Sequence, residues 1–334
     1  MQNNNTPEEV LSALQQAKSI ITCMDGRFDY DSLCSVLSLR EYAISLGKKY
    51  DITFGKSIPK DTKELFDVSF IREKTHPNNI NFEDYDLLVC LDTQNIRNLA
   101  SELDFTFPSS IKKVNIDHHP SNLFYADINY VDENASSTCA VLYDLFKIWK
   151  VDLDVQTLNK LSYGILTDTG FFQHSNTSSK ALRDTADMMD KGVDLFRNIW
   201  SLTYNSTLES LKAESVIFAN IQIDTKRKFA YSYILQKDIK ELNVDEGTLN
   251  FIPEILKKLK GINFACFIRE KETPGSYTIS LRSHEIEFDC IPIAKLLNGG
   301  GHKRAAGGKI EGVKDIDEAI RIVSEAVDKA SLSS

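Results

Sequence analysis

The chain has 334 residues, 42% of them hydrophobic, enough for two domains of ordinary size with real cores. A formal net charge of -9 excludes an extended basic face for duplex nucleic acid, because phosphate contacts dominate that affinity, and leaves open a small anion held by a few local cations. No window approaches the roughly 18 uninterrupted apolar residues of a membrane span, and the polar start "MQNNNTPEEV" lacks a leader pattern, so the expectation is a cytoplasmic protein with no membrane partner.

From residue 7 to about 200, short apolar runs alternate with helical periodicity. "SIITCM", "YDITFG", "YDLLVCLDT" and "IKKVNIDHH" predict strands buried on both faces, as in a parallel sheet covered by helices. "DSLCSVLSLREYAISLG" predicts a helix closed by Gly47, and "SSTCAVLYDLFKIWK" and "VQTLNKLSYGIL" predict two more. Together they give a doubly wound α/β domain, in which ligands collect beyond the carboxyl ends of the strands. "NIWSLTYNSTLESLKAESVIFANI" then reads as a helical connector. From about 220 onward "KFAYSYIL", "INFACFIRE" and "GSYTISLRS" predict strands, with "NFIPEILKKLKG" a helix between them and the amphipathic "DIDEAIRIVSEAVDKA" closing a smaller mixed-sheet α/β domain. The six cysteines, Cys23, Cys34, Cys90, Cys139, Cys266 and Cys290, form no CxxC pair and read as reduced core residues.

The side chains expected just beyond the strands are of one kind. Asp25, Asp29 and Asp31 follow the first strand, Asp92 the "LLVCL" strand, and Asp117, His118 and His119 the "VNI" strand, while Asp168 stands in "TDTGFF". A single aspartate at a strand end is ordinarily a cap or a turn residue. This ordered series of acids and imidazoles is instead the donor set of a site for two divalent metals. His76 and His174 read as loop or packing residues, and His284 as either packing or site. In "NGGGHKRAAGG" the run Gly299, Gly300 and Gly301 before His302 and Lys303 reads equally as a turn before a strand and as a loop that lets backbone N–H groups reach an anion. Arg282 favours the second, since a guanidinium suits bidentate phosphate contact.

"FDYDS", "LDT", "IDHHPSN", "YGILTDTGFF", "SLRS" and "GGGHKRAAGG", in that order, resemble the DHH phosphoesterase family with its DHH-associated C-terminal domain, on the nanoRNase/pAp phosphatase branch. The resemblance covers nearly the whole chain. It implies a DHH domain over 1–195, a helical linker over 196–219 and a substrate-binding domain over 220–334, with the active site in the cleft between domains. It further implies a di-manganese centre in which Asp29 and Asp31 each serve one ion, Asp92 bridges both, and His118 and Asp168 hold the second, while His119 contacts the scissile phosphate. Arg282, the Gly299 to Gly301 run and His302 would grip the far end of the substrate. The implied substrates are short oligoribonucleotides and 3′-phosphoadenosine 5′-phosphate, and relatives of this kind often form homodimers.

One departure stands out. The family's first motif has a histidine where this chain has Asp25, and a proline where it has Phe28. An aspartate still suits Mn²⁺, a hard cation, but adds negative charge and reaches less far. The departure motivates an alternative, a non-catalytic nucleotide-binding regulator in which Asp25 has cost the first metal; independently of it, hydrolysis of cyclic or linear dinucleotides is a further reading of the same resemblance.

Overall fold

The structure, a computed structural model, describes residues 4–331 except 27, 101–104, 205, 245, 250 and 285–287, and it leaves undescribed the side chains of Glu246 and His302. The chain divides into two compact units, Met1–Tyr204 and Asn205–Ser334.

In the first unit α1 (Pro7–Gln16), started by a Thr6/Glu9 capping box, precedes β1 (Ser19–Cys23). There follow α2 (Tyr30–Ser45), β2 (Lys49–Thr53), α3 (Lys60–Leu65), β3 (Ile71–Arg72), β4 (Leu87–Leu91), β5 (Lys112–Asp117) and β6 (Ile128–Val131). The helices α4 (Thr138–Ile148), α5 (Val155–Asp168), α6 (Ser179–Asp190) and α7 (Leu195–Thr203) complete it. All five strand pairings are parallel, in the order β3-β2-β1-β4-β5-β6. The apolar runs lack visible alternation because both faces are buried. Along β4, Leu87, Val89 and Leu91 enter one core cluster and Leu88 and Cys90 another.

The first cluster is packed by α2, α4 and α5, and α2 lies so deep that Leu33, Val36, Leu37 and Leu39 are buried together with Ser35 and Ser38. Gly47, at φ +74, ends that helix as expected. The cluster on the second face draws instead on short 3-10 turns and loops, through Phe82, Leu99, Phe107 and Ile111. All six cysteines are buried free thiols.

The second unit holds α8 (Leu208–Ala219), β7 (Gln222–Asp224), β8 (Phe229–Ile234), α9 (Gln236–Leu242), α10 (Ile252–Leu256), β9 (Phe264–Glu270) and β10 (Tyr277–Ser283). It ends with α11 (Ile291–Leu296), β11 (Gly300–His302), β12 (Ala305–Ile310) and α12 (Ile316–Ser331). Its sheet, ordered β11-β12-β10-β9-β8-β7, is mixed, with β8 and β9 the parallel pair. Helix α10 is shorter than the run "NFIPEILKKLKG" suggests: Pro253 stands in its first turn, and turns carry the chain on to Gly261. The segment read as one connector consists of two helices, α7 in the first unit and α8 in the second. Among the described residues no helix is long and apolar enough to cross a membrane.

Candidate metal centre

Strand β1 leads into Asp25, β4 into Asp92, and β5 ends on Asp117 with His118 and His119 following. The chain builds outward from β1 through β2 to β3, then returns to the other side of β1 with β4. The carboxyl ends of β1 and β4 therefore flank the point where strand order reverses, the place where open α/β sheets bind ligands.

Asp31, buried in the first turn of α2, is held by a distant part of the chain. The backbone N–H groups of Thr138 and Cys139, at the start of α4, donate to its two carboxylate oxygens at 2.7 and 2.9 Å. The positive end of the α4 dipole thus faces a carboxylate. The Thr138 hydroxyl donates to Asp92 Oδ1 at 3.0 Å, so one residue fixes two acids. Helix α5 must come close to complete this arrangement. A Cβ on Gly164 would lie 2.3 Å from Cys139 Sγ and 2.6 Å from Asp31 Oδ1, so only glycine fits there.

Asp92 itself has a left-handed backbone, φ +55, a conformation that aspartate and asparagine tolerate better than most residues. Its N–H donates to Ile116 O at 3.1 Å. Asp168, the last residue of α5, accepts at Oδ2 from Asn176 Nδ2 at 3.2 Å, and the same amide holds the carbonyls of Asp168 and Ser136. His118 Nε2 lies 3.6 Å from Asp92 Oδ1 and 3.7 Å from Asp168 Oδ2, too far to hydrogen-bond either and wide enough to leave room for a cation. Loss of hydration lowers the pKa of His118, which keeps the imidazole neutral, as a metal ligand must be.

His119 is held differently. Its Nδ1 lies 2.7 Å from Asp117 Oδ1, and Asp117, fully buried, accepts from Asn122 Nδ2 at 2.6 Å through its other oxygen. Burial alone would push His119 down and Asp117 up. Their mutual hydrogen bond and charge outweigh it, so the imidazole is raised and the carboxyl lowered.

Among the described residues, two groups bring ligand atoms within 4.8 Å of one another: Asp92, His118 and His119, and Asp31, His118 and Asp168. His118 is common to both. Asp25 and Asp29 fall in neither; Asp25 is buried, whereas Asp29 is an exposed residue whose Oδ1 caps α2 through Ser32 N at 2.8 Å. The acids strain against one another. Loss of hydration, then Asp29 and Asp31, raise Asp92 well above the usual carboxylate range, and loss of hydration, then Asp31 and Asp29, raise Asp168 to about 8. Asp29 rises for like reasons, dehydration before the charges of Asp31 and Asp25, but its accessibility to water makes Asp92 the stronger sign. Buried Asp31 and Asp92, with half-buried Asp168, crowd each other around a neutral imidazole and form a donor set that fits divalent cations.

Without metal, this crowding should make stability fall as pH rises. Asp168 and Asp92 keep protons in the folded chain that they lose in the unfolded chain above about pH 4, so the folded state binds more protons and the unfolding free energy declines toward pH 8. His119, raised, acts in the same direction, and His118, lowered, opposes it only below its ordinary value of 6.5. In chelator, melting by circular dichroism should occur several degrees lower at pH 8 than at pH 5.5, and Mn²⁺ should restore more at the higher pH. A melting temperature that climbs across this window would contradict the proton count.

In the second unit Arg282 donates from Nε to Glu254 Oε1 at 2.6 Å and from Nη1 to Leu281 O at 3.0 Å. The glycine run is one side of the β11–β12 hairpin. Gly299 and Gly301 are pressed against Gly307 and Ala305 backbone atoms, where a Cβ would come within 1.9 and 2.6 Å, whereas a Cβ on Gly300 would meet open space. The His302 side chain lies outside the described residues. His76 accepts from Asn78 N in a turn, His174 Nδ1 lies 3.2 Å from Asp168 O, and His284 Nδ1 lies 2.5 Å from Lys257 O.

Sequence reasoning counted Asp117 among the strand-end donors, whereas here it holds His119, and it gave no role to Asn122, Thr138, Gly164 or Asn176. One of these carried a signal: Gly164 interrupts an otherwise good helix at a cost of about 1 kcal/mol, which calls for a packing reason.

A model of the DHH family, N-terminal domain, matches residues 19–166, and a model of the DHHA1 domain matches residues 226–329. The probable bifunctional oligoribonuclease and PAP phosphatase NrnA of Streptococcus mutans is 26% identical over 306 residues, spanning 89% of this chain and 91% of its own. The bifunctional oligoribonuclease and PAP phosphatase NrnA of Thermus thermophilus is 26% identical over 324 residues, spanning 96% of this chain and 91% of its own. Among solved structures, an exopolyphosphatase-related protein from Bacteroides fragilis has the same fold, with a TM-score of 0.87 at 22% identity, covering 98% of this chain and 96% of that one. With both domain models matched in order, and relatives of the NrnA kind aligned along most of their length, the chain belongs to the DHH family, as a DHH domain followed by a DHHA1 domain.

Proposed function

We propose that the chain is a metal-dependent phosphoesterase that hydrolyses short oligoribonucleotides to mononucleotides and removes the 3′-phosphate of 3′-phosphoadenosine 5′-phosphate. The observation that carries this reading is the convergence of Asp31, Asp92 and Asp168 around His118 at the switch point of the sheet. The names of the relatives supply the substrate classes.

Asp31, Asp92, Asp168 and His118 would hold two divalent cations, with Asp25 and Asp29 adding negative charge, and so oxygen-rich a set favours Mn²⁺. When bound, the cations neutralise charge on the phosphoryl oxygens and acidify a water for attack. The water oxygen bonds to phosphorus, the bond from phosphorus to the 3′-oxygen breaks, and that oxygen takes a proton. Thr138 and the amides of α4 keep the carboxylates in place. With Nδ1 held by Asp117, His119 offers Nε2 toward a phosphoryl oxygen, and its raised pKa favours the imidazolium that would donate there. Arg282, Gly300 and His302 are assigned to the far end of the substrate.

The test is a panel: protein stripped by chelator and resupplied with Mn²⁺, incubated with an RNA dinucleotide, a longer RNA, the bisphosphate nucleotide and a cyclic dinucleotide. Mononucleotides from the dinucleotide and AMP from the bisphosphate are expected. Faster cleavage of the cyclic dinucleotide would reassign the substrate, and binding without turnover would make the protein a sensor.

A further inference from the structure

Beside His119 opens a cavity of about 380 Å³, formed within the first unit between the loop after β5 and the carboxyl end of β6. The half-buried rings of Phe124 and Tyr130 line it, and Asp132, Glu133 and Asn134 stand along it. Among the described residues that line it, none is Lys or Arg. Beyond His119 at its edge, a phosphate placed there would meet the carboxylates of Asp132 and Glu133 and no Lys or Arg among the described lining residues. A flat ring system bearing hydroxyls would meet aromatic surface, with carboxylates and amides to accept its hydrogen bonds. The volume lies near the lower end of small-ligand pockets, which run from roughly 300 to 1,000 Å³, and suits one nucleoside better than two.

The cavity and the catalytic imidazole are set by the same side chain. Asn122 Oδ1 accepts from Phe124 N at 2.7 Å, holding Phe124 at φ +50, a left-handed conformation that phenylalanine seldom adopts. Through its Nδ2 the same residue fixes Asp117, and through Asp117 it fixes His119. Strain of this kind persists where the surroundings over-determine a position.

The two substrate classes differ at one point. In an oligoribonucleotide the scissile phosphate carries a second nucleoside through its 5′-oxygen, whereas in the bisphosphate nucleotide that phosphate is terminal. We propose that this cavity receives the second nucleoside, with its base against Phe124 and Tyr130 and its ribose hydroxyls toward Glu133, an inference that rests on the phosphoesterase reading. With no Lys or Arg among the described lining residues, the cavity would disfavour a longer RNA, because a further 3′-phosphate would point into the carboxylates of Asp132 and Glu133.

The test compares kcat/KM for a dinucleotide with kcat/KM for the bisphosphate nucleotide, in the wild-type chain and in Asn134→Trp, which fills the cavity from an exposed position. The ratio of dinucleotide to bisphosphate should fall at least tenfold. An unchanged ratio overturns the proposal, whatever happens to the two rates together. A second variant, Glu133→Lys, should raise the use of a dinucleotide ending in a 3′-phosphate relative to one ending in a 3′-hydroxyl, and no change in that preference would count against the site. If the wild-type chain cleaves neither substrate, the phosphoesterase reading itself falls, an outcome distinct from both.

Discussion

Asp92→Asn is expected to lower kcat by at least a thousandfold, about 4 kcal/mol of transition-state stabilisation, and at the same time to raise the melting temperature of the metal-free protein. The two effects have one cause. Asp92 is buried among Asp29, Asp31, Asp117 and Asp168, whose charges, after loss of hydration, oppose its ionisation. Asparagine removes the charge that cations require and also the repulsion that the empty site suffers. It should do so without disturbing the loop, because asparagine tolerates the left-handed backbone at this position and keeps an oxygen for the Thr138 hydroxyl. Steady-state kinetics with Mn²⁺ and thermal unfolding in chelator measure the pair. Lower stability together with lower activity would make Asp92 a structural residue first.

The neighbouring histidines should separate cleanly. His118→Ala should lose metal and activity together, because Nε2 is the donor that faces both Asp92 and Asp168. His119→Ala should bind Mn²⁺ as the wild type does and lose roughly a hundred- to a thousandfold in kcat, the usual cost of removing one donor to a developing oxyanion. Asp117→Asn offers an intermediate case. It takes away the charge that raises His119, so the loss of activity at alkaline pH should begin at a lower pH than in the wild type. Equal metal loss in His118→Ala and His119→Ala, measured by electron paramagnetic resonance of bound Mn²⁺, would show that both imidazoles are ligands.

Unlike the short edge strands β3 and β6, which gave no such signal, strands β1, β2, β4 and β5 were legible because a strand buried on both faces leaves an apolar run, and the strand-end acids were legible because each closely follows such a run. What holds those acids was not. Asp31 is gripped by amides 107 and 108 residues away, and nothing in "SSTC" reveals which carboxylate its helix start will face. The reverse error threatens at Gly299 and Gly301. There the sequence allows an anion loop, and the hairpin gives both glycines a steric reason of their own, leaving Gly300 as the position open to a ligand. The covering of the second face of the first sheet was equally beyond reach, since the aromatic residues Phe82 and Phe107 pack it from turns and loops with no periodicity to read.

The most direct measurement is a Mn²⁺ titration of chelator-stripped protein, with bound metal followed by electron paramagnetic resonance and dinucleotide hydrolysis assayed on the same samples. Two ions per chain are expected, with mononucleotide production rising as the second site fills and absent in chelator. Full hydrolysis with no bound metal, or two tightly bound ions in the Asp92→Asn variant at wild-type affinity, would contradict the placement of a metal-dependent phosphoesterase centre on Asp31, Asp92, His118 and Asp168.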